Sequence, residues 1–277
     1  MKDFQKLLPG LSIIFLLAFI YMICRAFLGH VIHLPALPGG VYGKLIPPAM
    51  AACCYLAYVR GFRSMLSLVF LCWVYCWAAE ELSVHTGFPF GHYYYSDALG
   101  YKLDVVPITI GLNYLWLYVF PAFFVSNLIS QGSFLESGNG LGALLFTSLT
   151  ASILISGIDM AVDPVDATNL SEWVWTKNSF TGYYGIPYMN YLGYVIVMTP
   201  AFFIYGLIER AFGAKPVGPV NIYIASVPLI FYFLVFILYA VPAPGGVFLV
   251  SCFTMLFPLI LAIDKLGKYF SRQQAPI

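Results

Sequence analysis

Two adjacent glutamates, Glu80 and Glu81, close an apolar run that starts near residue 64. A carboxyl at membrane depth is costly and is retained mainly where it has work to do. Neighbouring residues on a helix point about 100° apart, so one of the pair can face a bundle interior while the other faces the interface. The stretch Leu66–Ala79 carries no charge to compensate either of them. In an apolar cavity a carboxyl keeps its proton near neutrality, and a kept proton is what a general acid delivers. The plainer alternative is that both sit solvated among lipid headgroups.

A second set of acids lies in GIDMAVDPVDATN. Asp159 and Asp163 are four residues apart and share a helix face. Pro164 disfavours helix at Asp163, which predicts that the helix ends there, with Asp166 a surface acid in the following loop. Spaced aspartates can hold Mg²⁺ on a diphosphate. Such a substrate also needs several Arg or Lys, and the neighbouring loops offer little beyond Lys102 and Lys177.

Histidines and aromatics crowd the same stretches. His30 and His33 are three apart, His85 and His92 seven apart, with no HxxxH or HxxHH pattern. No metal site is expected. Phe88, Phe90, Tyr93, Tyr94, Tyr95, Trp173, Trp175, Tyr183, Tyr184, Tyr188 and Tyr191 surround the acids. They suit either an interfacial belt or a cavity whose ring faces stabilise a cation.

The elements that would position these groups are membrane helices. The chain has 277 residues, 61% hydrophobic and 9% charged, against roughly 25% charged in a soluble domain. This composition predicts an all-α, polytopic membrane helix bundle forming one domain over residues 1–277. A net charge of +1 without a basic tract excludes nucleic acid as a partner. The six cysteines all lie inside apolar runs and read as packing residues.

Eight segments are apolar enough to span: 9–30, 43–59, 64–82, 106–130, 141–162, 189–209, 219–241 and 244–263. The second is the weakest, with Lys44, Pro47 and Pro48 near its start; its prolines are tolerable in a first helical turn. With both termini in the cytoplasm, Lys2, Lys6, Arg60, Arg63, Arg210, Lys215, Lys265, Lys268 and Arg272 fall inside, as the positive-inside rule prefers. The long loops 83–105 and 163–188 then emerge together on the outer face. TGFPFGHYYY after Glu81 and TGYYGIPYMNY after Asp163 form a faint internal echo.

These residues resemble the membrane carotenoid 1,2-hydratases, the bisanhydrobacterioruberin and γ-carotene hydratases. That family's pattern is a glutamate, a TG-x-PFG-x-Y-x-Y segment, then LG-x-KL-x-x-VP leading into the next helix. Here Glu80, Thr86–Gly91 and Gly100–Pro107 match it. A second block matches over Asp159–Pro164, Trp173–Trp175 and Gly182–Gly193. Ser83 stands where glycine is expected, and Asn113–Tyr114 replaces a more apolar helix start.

The resemblance implies a cofactor-independent hydro-lyase in the cell membrane. Its partners would be water and an acyclic carotenoid of the lycopene or γ-carotene type, drawn from the bilayer. Glu80 would be the acid, with Glu81 beside it, and Asp159 or Asp163 would orient water or stabilise charge. Phe88, Phe90, His92, Tyr93, Tyr95, Trp173, Trp175, Tyr184 and Asn190 would bind substrate. The same acid could start a cyclisation or isomerisation. A lipid-binding or transport protein is the reading from a different class.

Overall fold

The structure, a computed structural model, describes residues 2–28, 32, 34–35, 38–133, 140–167, 171–176 and 182–274. His30, His33 and Lys177 fall outside the described residues. Eight helical rods appear where the apolar runs lie: α1 (Lys2–Leu28), α2 (Val41–Val59), α3 (Phe62–Thr86), α4 (Ile110–Gln131), α5 (Leu141–Val165), α6 (Tyr188–Phe212), α7 (Ile222–Tyr239) and α8 (Gly245–Gln273). Among the described residues, seven of these are long and apolar enough to cross a membrane. The chain is a polytopic membrane helix bundle. In hydrocarbon every backbone N–H and C=O must be satisfied within the protein, and helices do this within one segment.

The rod outside that set is α2, the weakest of the sequence candidates. Lys44 and the pair Pro47 and Pro48 lower its hydropathy, yet it forms and packs along α1. The helix begins at Val41, so these prolines sit inside it and not in its first turn.

Burial sorts the rods into layers. In α4, 83% of the apolar window is buried, against 28% in α1 and in α8. So α4 is the axis of the bundle, and α1 and α8 present Ile14, Leu17, Phe253 and Ile260 outward as a hydrocarbon-facing surface. α5 packs along α6. Among the described residues, π turns interrupt three of these rods: Leu71–Cys76 in α3, Tyr114–Val119 in α4 and Cys252–Leu256 in α8. Such turns occur often at functional sites.

α5 does not stop at Asp163. It runs on through Pro164 to Val165, and the Asp166 N–H bonds back to Val162 and Asp163 carbonyls. Proline removes only its own N–H, and its bias on the preceding residue is a preference that a packed helix overrides.

The two long loops are stitched together. β1 (Tyr93–Tyr95) pairs antiparallel with β4 (Trp173–Trp175), in the register Tyr93↔Trp175, Tyr94↔Val174 and Tyr95↔Trp173. Bonds from Thr176 N to His92 O (3.0 Å) and from Ser96 N to Glu172 O (3.0 Å) extend the ladder at both ends. A second hairpin pairs β2 (Lys102–Leu103) with β3 (Val106–Pro107).

Candidate active site

Strand alternation aims the tyrosines. Tyr93 and Tyr95 are buried while Tyr94, one residue out of phase, is exposed. Two contacts set the ribbon down on the helices. Ser83 Oγ accepts from Phe90 N at 3.1 Å and donates to Gly91 O at 3.1 Å. The serine that replaces the expected glycine thus ties the loop to α3. On α6, Gly193 leaves room for the same loop: a Cβ there would stand 2.6 Å from Phe90 Cδ1 and 2.7 Å from Pro89 O.

Beneath the ribbon lies a cleft of about 460 Å³, counting the space open to solvent. Its walls come from α3, α4, α5, α6 and the ribbon. Glu80, buried, accepts three phenol hydroxyls. Tyr114 donates to Oε1 at 2.5 Å, and Tyr95 (2.9 Å) and Tyr93 both donate to Oε2. Burial holds the Tyr93 and Tyr95 hydroxyls well above their usual pKa, so both remain protonated donors.

The aspartates occupy the other wall. Asp159 and Asp163 are each 1% exposed. Asn190 Nδ2 donates to Asp159 Oδ2 at 2.6 Å and to Asp163 Oδ2 at 2.8 Å, so one amide joins the two carboxyls. Tyr118 donates to Asp159 Oδ1 at 2.7 Å. The indoles of Trp173 (2.6 Å) and Trp175 (3.2 Å) donate to Asp163 Oδ1. Tyr194 bridges the walls, its ring 5.5 Å from Tyr118 and 6.2 Å from Tyr114. Among the described lining residues there is no Lys, Arg or His, which does not suit a diphosphate.

Asp166 corrects the expectation of a surface acid. It is 3% exposed and lines the same cleft, because the continued helix carries it inward. Burial, with the carboxyls of Glu172, Asp163 and Asp159 nearby, pushes its pKa well up.

Other expected site residues lie apart. Glu81 turns away from the cleft toward His85, whose Nε2 is 3.0 Å from Glu81 and 3.3 Å from Asp104. These three could hold a cation, but His85 and Asp104 are largely exposed and the cluster is not in the cleft. His92 is exposed and packs against Gly87, where a Cβ would meet its Nε2 at 2.5 Å. Phe88 and Tyr184 are exposed, the latter against Gly246 at the start of α8. Phe90 is buried behind the cleft against Tyr194, ring to ring at 5.1 Å.

Asn113, Tyr114, Tyr118 and Tyr194 belong to the cleft and were not singled out as binding residues from sequence. The one signal was Asn113–Tyr114, a polar pair opening an otherwise apolar helix.

A second cleft, of about 480 Å³, lies at the far end of α3 and α6. There Arg60 grips Glu209 with Nε to Oε1 at 2.8 Å and Nη2 to Oε2 at 2.5 Å. Tyr205 (2.9 Å) and Ser64 also donate to Glu209.

The geometry is thus an acid clasped by phenols, facing a paired carboxyl in an aromatic cleft within a membrane bundle. Residues 39–261 match the family of carotenoid biosynthesis proteins. The chain belongs to that family. Its role is therefore in carotenoid biosynthesis, in a membrane, and the whole cleft falls inside the matched region. Comparison with curated proteins and with solved structures finds no match to the chain.

Proposed function

We propose that this carotenoid biosynthesis protein adds water across the terminal C1–C2 double bond of an acyclic carotenoid end group. The observation that carries the reading is Glu80, its two oxygens accepting three phenol hydroxyls, across the cleft from the Asp159–Asn190–Asp163 unit. Glu80 donates a proton to the less substituted alkene carbon. The carboxylate left behind is what three O–H donors stabilise, so the tyrosines act on the charge that develops in the step. The tertiary cation forms between aromatic faces and the aspartate pair, and water captures it.

On this reading the end group enters the cleft and the rest of the polyene lies in the bilayer. A carboxyl-lined wall favours capture by water over capture by an internal alkene. In the cell membrane, with both termini cytoplasmic, this cleft opens toward the outer face.

Expression in a host that accumulates lycopene, followed by pigment analysis, tests the activity. In membranes supplied with H₂¹⁸O, the tertiary alcohol is expected to carry ¹⁸O; product without the label sinks the hydratase reading. Glu80→Gln is expected to lose about 10²–10⁴-fold in rate. Full activity in that variant would remove Glu80 from the role of acid.

A further inference from the structure

Hydration requires two proton movements with different geometry. One proton goes to carbon, and a second leaves the oxygen that has just bonded to the cation. Glu80 serves the first, and a second acceptor placed beside the incoming water can receive the second and pass it back to Glu80.

Asp166 has the features of that group. It lines the cleft, it is 3% exposed, and its Oδ1 has no hydrogen-bond partner among the described residues. A buried carboxyl oxygen left unpaired is expensive, and such a position is commonly completed by a water or a ligand. Every other acid in the cleft has its oxygens engaged: Glu80 by tyrosines, Asp163 by indoles and Asn190, Asp159 by Tyr118 and Asn190. Among the described lining acids, Asp166 is the one that presents a bare acceptor.

On the hydratase reading, from which this inference takes its reaction, we propose that Asp166 binds the water that captures the cation and returns the released proton toward Glu80. The balance closes. The alkene π pair forms a C–H bond with the Glu80 proton, and a water lone pair forms the C–O bond. The oxonium proton passes to Asp166 Oδ1 as the proton on the other Asp166 oxygen moves on to the neighbouring carboxyls. From there the proton returns to Glu80 across the same cleft, whose other wall holds Asp163, Asp159 and Tyr118. The sum is alkene plus water to tertiary alcohol.

The surroundings of Asp166 suit a carboxyl that takes a proton on one oxygen while giving one from the other. Burial first, then the nearby carboxyls of Glu172, Asp163 and Asp159, push its pKa up and favour its protonated form, and Tyr239 reaches it by a hydrogen bond. Glu172, itself held up by burial and opposed by Lys44, stands between Asp166 and the surface of the ribbon.

The test separates protonation from capture. Membranes holding substrate in D₂O report protonation as deuterium in recovered alkene, formed when the cation loses a neighbouring proton, and capture as tertiary alcohol. With Asp166→Asn, the ratio of alkene exchange to hydration is expected to rise by at least about 10-fold, the low end of a general acid–base contribution being larger still. Asp166→Glu, which keeps the carboxyl, is expected to restore part of the hydration and to cover the case in which the asparagine variant does not fold. An unchanged ratio in folded Asp166→Asn, hydration and exchange falling together, or a folded Asp166→Glu variant that protonates the alkene without hydrating it, overturns the role of Asp166. If the wild-type protein yields neither alcohol nor exchange, the hydratase reading itself has failed.

Discussion

The bundle buries carboxyls at both ends of α3 and α6 and treats them differently. Asn190 and Glu209 are 19 residues apart on α6, about 28 Å along a helix. At the Glu209 end the charge is matched by a bidentate guanidinium, with Ser64 and Tyr205 completing the shell. At the Glu80 end the described lining residues include four acids and no cation, and the donors are phenols, indoles and one amide. Burying a charge costs several kcal/mol in either place. A matching charge cancels the field and leaves a closed, structural pair. Neutral donors offset the cost while leaving a negative field in the cleft, where a transient cation would be welcome.

Breaking the matched end gives the largest effect on stability. Arg60→Met leaves Glu209 buried and uncompensated, with an expected loss of about 3–5 kcal/mol. Adding Glu209→Gln keeps the acceptor for Ser64 and Tyr205 and should recover most of it. Thermal unfolding in detergent measures both; a double variant as weak as the single would show that charge imbalance is not the cause. Turnover by the folded double variant is expected to stay near wild type, since neither residue reaches the outer cleft.

At the Glu80 end the corresponding break is Asn190→Leu, similar in volume but without the amide. Removing donors from two buried carboxyls should cost about 1–3 kcal/mol, and turnover should slow because Asp159 and Asp163 lose their common tether. Unchanged melting and turnover would mean that Asn190 positions neither.

The smallest effect concerns the ribbon's exposed edge. Lys102 Nζ donates to Asp97 Oδ1 at 2.9 Å and to Tyr95 O at 2.8 Å. The ammonium holds the Asp97 carboxyl below its usual 3.8. A depressed acid stabilises the fold above its ordinary pKa and loses that contribution as pH falls through the lowered value. In Lys102→Ala this acid-side sensitivity should vanish, read as a flatter response of the ribbon's tryptophan fluorescence to acidification. A response identical to wild type would dismiss the pair.

Much of this arrangement was legible in the residues. Apolar runs located the helices, because a membrane span has to be long and continuous. Glu80 and the Asp159/Asp163 pair stood out because carboxyls are rare in such runs. The 100° offset between neighbours correctly implied that Glu80 and Glu81 part company, and Glu80 is the one in the cleft. What stayed hidden depends on contacts between distant segments. Tyr114, Tyr118 and Tyr194 sit in apolar helices, where a tyrosine looks like packing until its hydroxyl partner is known. The three-residue strands β1 and β4 are 80 residues apart and too short for periodicity to betray. Asp166 looked like a loop acid because Pro164 pointed to a helix end, and the bundle carried the helix past it. His92, Phe88 and Tyr184 shared the aromatic stretches of the cleft residues, but strand and turn geometry sent their side chains elsewhere.

The π turn Tyr114–Val119 has a consequence for descent. A π turn is an α-helix with one extra residue absorbed locally, and this one carries both the phenol for Glu80 and the phenol for Asp159. Losing one residue from it lets α4 revert to regular helix with its ends in place. The bundle axis would survive such a deletion, yet one phenol would swing off its carboxyl. A lineage could thus edit the reaction by a single codon of length while every helix in the membrane kept its neighbours.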